Sequence, residues 1–311
     1  MKRLTENKII LITRTTRLEE LIVRFNTMEQ AKFYIEHLGA DFSDYDAEHR
    51  QYKDALRETE AQLRELGRVQ TLDRAFLTNF MFGPEDTVVV LGQDGLVANT
   101  LKYVDERPIV AVNPDPRRWD GVLLPFRVPD VRAIVTEVFA GLRSMRDITM
   151  AQASLNNGLK LYGVNDLFIG HRSHVSARYE LAVGQKHERQ SSSGIIVSTG
   201  LGSTGWFTSV LAGARGIGTA LGRPIETDLL KDFRWESKYL YYTVREPFPS
   251  RTSSASLVFG KVTGKDPLTL VSQMPENGVI FSDGIEADYL EFNSGTRAVV
   301  TVADKKGRLV V

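Results

Sequence analysis

The sequence contains no cysteine among its 311 residues. This excludes disulfides, thiolate catalysis and metal sites with cysteine ligands. Only five histidines are present, and the one close pair, His171 and His174 in HRSH, lacks the i, i+4 spacing of a helical metal site. We therefore expect no catalytic zinc centre and no metal ion held directly by side chains.

Net charge and long apolar runs are also lacking. The 39 lysines and arginines balance 39 aspartates and glutamates, so no overall field attracts nucleic acid or an anionic membrane. No apolar segment has the length of a membrane span. The start, MKRLTENKIILITRT, has too short an apolar core for a signal peptide and no small-residue cleavage site. We expect a cytoplasmic protein with no nucleic-acid or membrane partner.

The first part of the chain alternates strand and helix patterns. KIILIT, TVVVL and PIVAV are apolar on both faces, as strands of a parallel sheet covered by helices are. Residues 28–39, 47–67 and 129–142 have helical patterns, and the charged segment 47–67 predicts an amphipathic surface helix that ends at Gly67. This pattern predicts a Rossmann-like α/β domain.

From about Ile148 onward the pattern changes to short alternating strands. One helix, residues 206–221, interrupts them. The predicted strands are ITMAQASL, GLKLYGV, SARYELAV, GIIVST, YLYYTV, SASLVFG, PLTLVSQ and YLEF. The predicted fold class is therefore α/β plus all-β. An α/β domain spans residues 1–135, and a β-sandwich-like domain spans residues 136–311, with the last residues free to return to the first domain.

The segment TVVVLGQDGLVANT carries the first chemical motif. Gly92, Gln93, Asp94 and Gly95 lie between a strand and a helix, where backbone amides and the helix dipole favour phosphate. The loop alone is weak support, since a tight turn with Asp94 as the helix cap fits equally well.

The segment TGLGSTGW is more distinctive. Three glycines and two hydroxyls precede the helix of the β-rich half, which suits close backbone approach to a nucleotide. The alternative is a glycine-rich turn in which Ser203 or Thr204 caps the helix.

Two shorter motifs remain open to more than one interpretation. Asn165 and Asp166, in GVNDLFIG at the end of a strand pattern, suit the binding of ribose hydroxyls, but such pairs also form turns. The segment Ser282-Asp283-Gly284 is equally compatible with a hairpin turn.

The order of GQDG, VNPDP, VND, TGLGSTGW and SDG resembles the NAD kinase family, which belongs with the diacylglycerol and sphingosine kinases. The likeness covers nearly the whole chain and is greatest to the mitochondrial type of NAD kinase. That type is suggested by TTRLE, VNPDPRRWDGVLLPF, VNDLFIG, SSGIIVSTGLGSTGW and VREPFPSR. The resemblance implies an ATP-dependent kinase that phosphorylates NAD to NADP, with Mg²⁺ bound through the donor phosphates, acting as a homodimer or homotetramer.

The resemblance also implies roles for individual residues. Asp94 orients or deprotonates the 2′-hydroxyl of the adenosine ribose of NAD. Gly92 and Gly95, with Gln93 between them, admit the phosphates of the donor. The nucleotide site is implied to consist of Asn113, Asn165, Asp166, Gly202, Ser203 and Thr204, with Asp283 as a second carboxylate for charge or magnesium placement.

Four positions depart from the family pattern. Gln93 replaces the second glycine of GGDG, Leu96 a threonine, Asp166 a glutamate and Ser193 an aspartate. Glutamine lacks the access to positive φ that glycine has, although its amide is able to donate to a phosphate. Two alternatives to an NAD kinase therefore remain. One is an NAD(P)-binding protein with weak or no catalysis, and the other is a kinase of a lipid or another small alcohol.

Overall fold

A computed structural model describes residues 4–226 and 230–311. The chain divides into an N-terminal unit, Met1–Arg146 with Arg308–Val311, and a β-rich unit, Asp147–Gly307. The boundary expected from the sequence, 135/136, falls inside a helix, Val131–Phe139, whose Val131 and Val135 are fully buried in the N-terminal core. That packing keeps the helix with the N-terminal unit.

The N-terminal unit is built on a parallel sheet. Its order is the end of β17, then β4, β3, β1 and β2, with β5 also paired to β4. The strands are β1 (Lys8–Thr13), β2 (Arg68–Asp73), β3 (Thr87–Leu91), β4 (Pro108–Asn113), β5 (Phe126–Arg127) and β17 (Arg297–Val310). The helices are α1 (Arg17–Phe25), α2 (Met28–His37), α3 (Phe42–Leu66), α4 (Asp94–Leu101) and α5 (Val131–Phe139), with 3-10 turns at Arg74–Asn79 and Val128–Asp130.

Helix α3 covers one face of this sheet. Asp41 caps its start by accepting from the Ser43 amide, and the helix ends at Gly67, as the sequence predicts. Its apolar stripe packs in one core with strand residues such as Leu11 and Val89. The same core holds the buried side of α5, so the apolar runs of the strands are buried as expected.

The β-rich unit is a sandwich of two antiparallel sheets. Leu167 and Ile169 of one sheet pack against Tyr179 and Leu181 of the other. One sheet has the order β13-β12-β11-β8-β15-β16, and the other contains β10-β9-β14-β17 with β6 and β7. The strands are β6 (Met145–Leu155), β7 (Lys160–Gly163), β8 (Asp166–His171), β9 (Ala177–Val183), β10 (Lys186–Ser192), β11 (Ile195–Ser198), β12 (Leu240–Val244), β13 (Phe259–Val262), β14 (Leu268–Ser272), β15 (Gly278–Ser282) and β16 (Ile285–Glu291), with helix α6 (Trp206–Ala220) and a 3-10 turn at Gly202–Thr204.

The fold class predicted from the sequence is confirmed, but one predicted strand is mostly wrong. SASLVFG is extended in the sheet only from Phe259, where β13 begins. The preceding amides of Ser256 and Leu257 donate to the Glu188 carboxylate instead of to a neighbouring strand. No helix in the described part of the chain is long and apolar enough to cross a membrane.

Candidate functional site

The GQDG loop, residues 92–95, leads from the carboxyl end of β3 into α4. The Gly92 amide donates to the Val112 carbonyl at 3.3 Å, which ties the loop to the neighbouring strand β4. The amides of Leu96 and Val97 donate to the Gln93 carbonyl and close the first turn of the helix. Since the first amides of a helix have no intrahelical acceptor, this loop presents N–H donors at the positive end of α4.

The backbone at Gln93 is ordinary. Its φ of −111° and ψ of 164° are extended values that any residue adopts, so glutamine needs no positive φ at this position. A Cβ at Gly95 would meet no atom within 4 Å, whereas one at Gly92 would lie 2.7 Å from Cδ2 of buried Leu96. The fold therefore does not require glycine at position 95, and the surface above Gly95 stays open.

Asp94 is the first residue of α4, and the interpretation of Asp94 as the helix cap is wrong. The cap position belongs to Gln93, whose side chain makes no capping bond. Asp94 Oδ1 instead accepts from the Leu123 amide at 2.6 Å. Its other oxygen, Oδ2, makes no hydrogen bond within the described residues. The carboxylate is thus half-buried, fixed on one side and available on the other.

Asn113 organises the loop that brings Leu123 to Asp94. Its Oδ1 accepts from the Asp115 amide and its Nδ2 donates to the Trp119 carbonyl, both at 3.0 Å. Gly121 has φ +67°, and a Cβ there would lie 2.6 Å from Asn113 Nδ2. The buried Asn113 side chain therefore shapes this loop through bonds to the chain's own backbone.

Asp283 lies in the turn between β15 and β16. Asp283 and Gly284 both have positive φ, as a two-residue hairpin turn requires, so the hairpin interpretation is confirmed. The Asp283 carboxylate accepts from three successive amides, those of Val164, Asn165 and Asp166, at 3.0, 2.6 and 3.3 Å. It holds the turn that precedes β8.

Asp166 is the first residue of β8 and is only 6% exposed. Its side chain makes no hydrogen bond within the described residues. Burial, and then the charge of Asp283, raise the pKa of Asp166 to about 7. The neighbouring Asn165 is half-buried, and its side-chain amide is likewise without a hydrogen bond in the part of the chain that the structure describes. A carboxylate and an amide with unused bonding capacity thus belong to consecutive residues.

The glycines of TGLGSTGW allow close approach between segments of this chain. A Cβ at Gly200 would lie 1.7 Å from the Arg234 carbonyl oxygen, and one at Gly202 would lie 2.0 Å from that of Asn165. Buried Thr199 adds to this packing by donating to the Val164 carbonyl at 2.6 Å. The backbone of Asn165 therefore requires glycine at position 202, whatever ligand binds at this loop.

Ser203 and Thr204 do not cap α6. The cap position of that helix is Gly205, and it has no side-chain capping bond. Ser203 Oγ donates to the Gly200 carbonyl at 2.8 Å, so it closes the turn. Thr204 is exposed, and its hydroxyl makes no hydrogen bond within the described residues.

Gly202→Ala should destabilise the β-rich unit by roughly 3 kcal/mol or more, because the added methyl group meets a rigid backbone carbonyl. Chemical denaturation monitored by circular dichroism measures the change. Gly205→Ala is the matched control, since a Cβ there comes only as near as 3.5 Å to the Gly202 carbonyl oxygen. Equal stability of the two variants would contradict the packing role assigned to Gly202.

An aromatic pocket of about 460 Å³ opens on the same face of β8 as Asp166. Phe168 lies two residues after Asp166 and therefore points to the same side of the sheet. It stacks on Trp206, with ring centroids 5.6 Å apart, and the Arg245 guanidinium lies 5.2 Å from the Trp206 ring centroid. The walls also include Phe281, His171, Arg172, His174, Ser193, Glu246 and Glu286.

Sequence reasoning missed this pocket. Trp206 stands inside the TGLGSTGW motif and was available as a signal, but Phe168 and Phe281 come from separate strands. Only the pairing of β8 with β15 brings those two rings within 4.8 Å of each other. The volume is within the usual range for small-molecule pockets, and the stacked rings offer a surface for a planar base.

The described residues contain no group of three or more histidines or carboxylates arranged to hold a metal ion. The candidate site residues described above supply carboxylates, amides and a helix terminus. Such groups suit binding and positioning of a nucleotide and its phosphates.

The fold is shared with NAD kinases of known structure. An NAD kinase from Archaeoglobus fulgidus in complex with ATP matches over 98% of this chain and 93% of its own, with a TM-score of 0.55 and 14% identity. The yeast NADH kinase complexed with NADH matches over 99% and 84%, with a TM-score of 0.57 and 16% identity. Neither a protein-family model nor a curated protein matches the sequence significantly. The two-domain fold implied by the sequence motifs is thus confirmed.

Proposed function

We propose that this protein is an NAD kinase, which transfers the γ-phosphoryl group of ATP to the 2′-hydroxyl of the adenosine ribose of NAD. The observation that carries the proposal is Asp94. Its carboxylate sits in the first turn of α4, with one oxygen held by the Leu123 amide and the other free. That arrangement suits a group that accepts a proton from an alcohol next to bound phosphates.

The acceptor nucleotide is proposed to bind through the pair Asn165 and Asp166. Both side chains have unused hydrogen-bonding capacity, which ribose hydroxyls satisfy well. The stacked rings of Phe168 and Trp206 on the same face supply a surface for one base of the dinucleotide. The exposed hydroxyl of Thr204, in the 3-10 turn two residues before Trp206, is a further donor toward this ligand, and Ser203 and Gly202 hold that turn.

The donor is proposed to bind at the GQDG loop. The backbone amides of the first turn of α4 are the proposed donors to the phosphates of ATP. Gly95 has no side chain and leaves room for them. The Gln93 side chain, which makes no capping bond, is free to donate its amide to the same phosphates. Mg²⁺ bound to the phosphates of the donor would neutralise the charge that develops during transfer.

The 2′-oxygen of NAD forms a bond to the γ-phosphorus, the bond from that phosphorus to the β–γ bridging oxygen breaks, and ADP leaves with the electron pair. The hydroxyl proton passes to the Asp94 carboxylate and then to water, so that NAD and ATP give NADP, ADP and a proton. Asp283 and Asn113 act through the chain's own backbone, because their polar atoms bind the turns at residues 164–166 and 114–122.

We also propose that the protein acts in the cytoplasm as a homodimer or homotetramer. The outer strands β13 and β16 of one sheet end that sheet with unpaired edges. Association of copies is one way to cover such edges. Sedimentation equilibrium of the purified protein tests this part of the proposal.

Trp206→Leu should weaken NAD binding about tenfold or more, because stacking of a base on an aromatic ring contributes roughly 1–3 kcal/mol. Titration calorimetry with NAD measures the change. Trp235→Leu serves as the control, since Trp235 belongs to the same unit but does not line the pocket. The pocket assignment fails if both variants bind NAD as the wild type does.

The acceptor is tested most simply with ATP labelled at the γ-phosphate. The protein is incubated with NAD, diacylglycerol or sphingosine in separate reactions, and the products are resolved by thin-layer chromatography. Label in NADP alone supports the proposal. Label in a lipid favours the lipid-kinase alternative, and calorimetric NAD binding without any labelled product favours a non-catalytic binding protein.

A further inference from the structure

The first half of α3 runs past the carboxyl ends of three strands of the N-terminal unit. Tyr52, on this part of the helix, is only 2% exposed. Its hydroxyl accepts from the Arg14 amide at 3.0 Å and donates to the Leu91 carbonyl at 3.1 Å. Arg14 directly follows β1, and Leu91 is the residue immediately before the GQDG loop. One hydroxyl therefore joins two strand ends to the helix.

The Tyr52 ring is itself held in place. The Arg14 guanidinium lies 4.8 Å from the ring centroid and pairs at 2.6 Å with Glu48, one helical turn before Tyr52. Buried Glu48 also binds Arg17 at 2.5 Å. Burial raises the pKa of Tyr52 to about 12, so the hydroxyl remains neutral and keeps both its donor and its acceptor role.

The same stretch of α3 holds the loop on the other side of Asp94. Gln51 Nε2 donates to the Pro114 carbonyl at 3.1 Å, and Asp44 binds Arg118 at 2.7 Å. The loop thus held runs on to Leu123, whose amide binds the Asp94 carboxylate. Both segments that fix Asp94, its own loop and the loop of its hydrogen-bond donor, are therefore anchored to α3.

We propose that Tyr52 is a positioning residue, which holds the GQDG loop in register through the Leu91 carbonyl and so sets the place of Asp94. It touches neither substrate nor reacting atoms. The catalytic consequence rests on the proposed NAD kinase activity, whereas the anchoring of the loop does not. Sequence periodicity assigns Tyr52 only to the apolar stripe of α3, since spacing carries no information on where a hydroxyl points.

The test compares Tyr52→Phe with Tyr45→Phe. Tyr45 lies on the same helix, and its hydroxyl makes no hydrogen bond within the described residues. Amide hydrogen exchange is measured on the free protein. We expect the amides of Gly92, Leu96 and Val97 to exchange about tenfold faster in Tyr52→Phe, since a buried hydrogen bond is lost. Tyr45→Phe should match the wild type, and amides of β8 should be unchanged in both.

Steady-state kinetics then separate positioning from general destabilisation. In Tyr52→Phe we expect kcat to fall about tenfold or more, with the KM for NAD changed by less than about twofold, because a small displacement of the loop affects the transfer step most. Unchanged exchange in the loop overturns the anchoring. Faster exchange with an unchanged kcat, or with only a raised KM, overturns the positioning role. A wild type that makes no NADP overturns the proposed function, and the exchange data still decide the anchoring.

Discussion

Asp166→Asn is expected to make the protein more stable at about pH 8 and, at the same time, a weaker binder of NAD. The buried Asp166 carboxylate has no hydrogen-bond partner within the described residues and lies in the field of Asp283. Ionisation of Asp166 therefore lowers the free energy of unfolding, and the neutral side chain of asparagine avoids that loss. Opposite effects on stability and on binding are typical of a residue kept for function.

The direction of the pH dependence follows from the pKa. Burial and Asp283 raise the pKa of Asp166 from its ordinary value of 3.8 to about 7. Between these values the folded state binds more protons than the unfolded state, so wild-type stability falls as pH rises from about 4 to about 7. Above about pH 7 the loss in the free energy of unfolding is complete and is on the order of 4 kcal/mol. Asp166→Asn lacks this loss, so the two proteins should differ little below about pH 4 and most above pH 7.

Urea denaturation at a series of pH values measures this difference. Asp304→Asn is the control, because it removes one charge from the same unit at a well-exposed site. NAD affinity measured by calorimetry over the same series should fall in the wild type as pH drops below about 7, since the protonated carboxyl accepts fewer hydrogen bonds. Asp166→Asn that is less stable than the wild type at pH 8 would falsify the account of this site.

Asp94→Asn is expected to lower kcat by roughly 10²- to 10⁴-fold, the usual contribution of a general base. The asparagine oxygen is still able to accept from the Leu123 amide, so the loop and the fold should persist. NAD affinity should change by less than about twofold, because the ligand contacts proposed for Asn165 and Asp166 remain. Initial rates of NADP formation measure kcat, and calorimetric titration with NAD measures the affinity for NAD.

Asp86→Asn is a matched control for this variant. Asp86 also belongs to the N-terminal unit, and its carboxylate likewise accepts a backbone amide, from Gly83 at 2.7 Å. Asp86 lies outside the GQDG loop, so the kcat of Asp86→Asn should equal that of the wild type. A similar loss in both variants would show that the effect comes from disturbed loops and not from the missing base.

Strand and helix patterns predicted most of the fold because burial follows periodicity. KIILIT, TVVVL and PIVAV are buried on both faces, as their sequences indicate. Helix α1 was not predicted, although Thr16 and Glu19 form a capping box at its start that the sequence displays. Leu18, Leu21, Ile22 and Phe25 also recur at helical spacing, so the sequence carries a periodic signal for this short helix as well.

The site residues assigned from the sequence stay predictions, and the contacts of their side chains depend on tertiary packing. The order of the motifs pointed to Asp94 and to the pair Asn165 and Asp166. The reason for the glycine at 202 depends on the backbone of Asn165, which is far away in sequence. Spacing carries no information on such contacts, nor on the ring stacking of Phe168 with Trp206, because both are formed by tertiary packing.

Whether glutamine fits at position 93 depends on the backbone conformation there, which the sequence does not give. A glutamine in place of glycine suggests a strained or altered phosphate loop when a positive φ is assumed. The observed φ of −111° removes that assumption. The backbone geometry of the GQDG loop is therefore compatible with a phosphate-binding role.

The most direct test of the central claim is the formation of NADP itself. The purified protein is incubated with NAD, ATP and Mg²⁺, and NADP is measured by an enzymatic cycling assay that does not respond to NAD. The account predicts steady accumulation of NADP by the wild type and by Asp86→Asn, and almost none by Asp94→Asn. Absence of NADP from the wild type, with NAD binding intact by calorimetry, would contradict it and leave a protein that binds the dinucleotide without phosphorylating it.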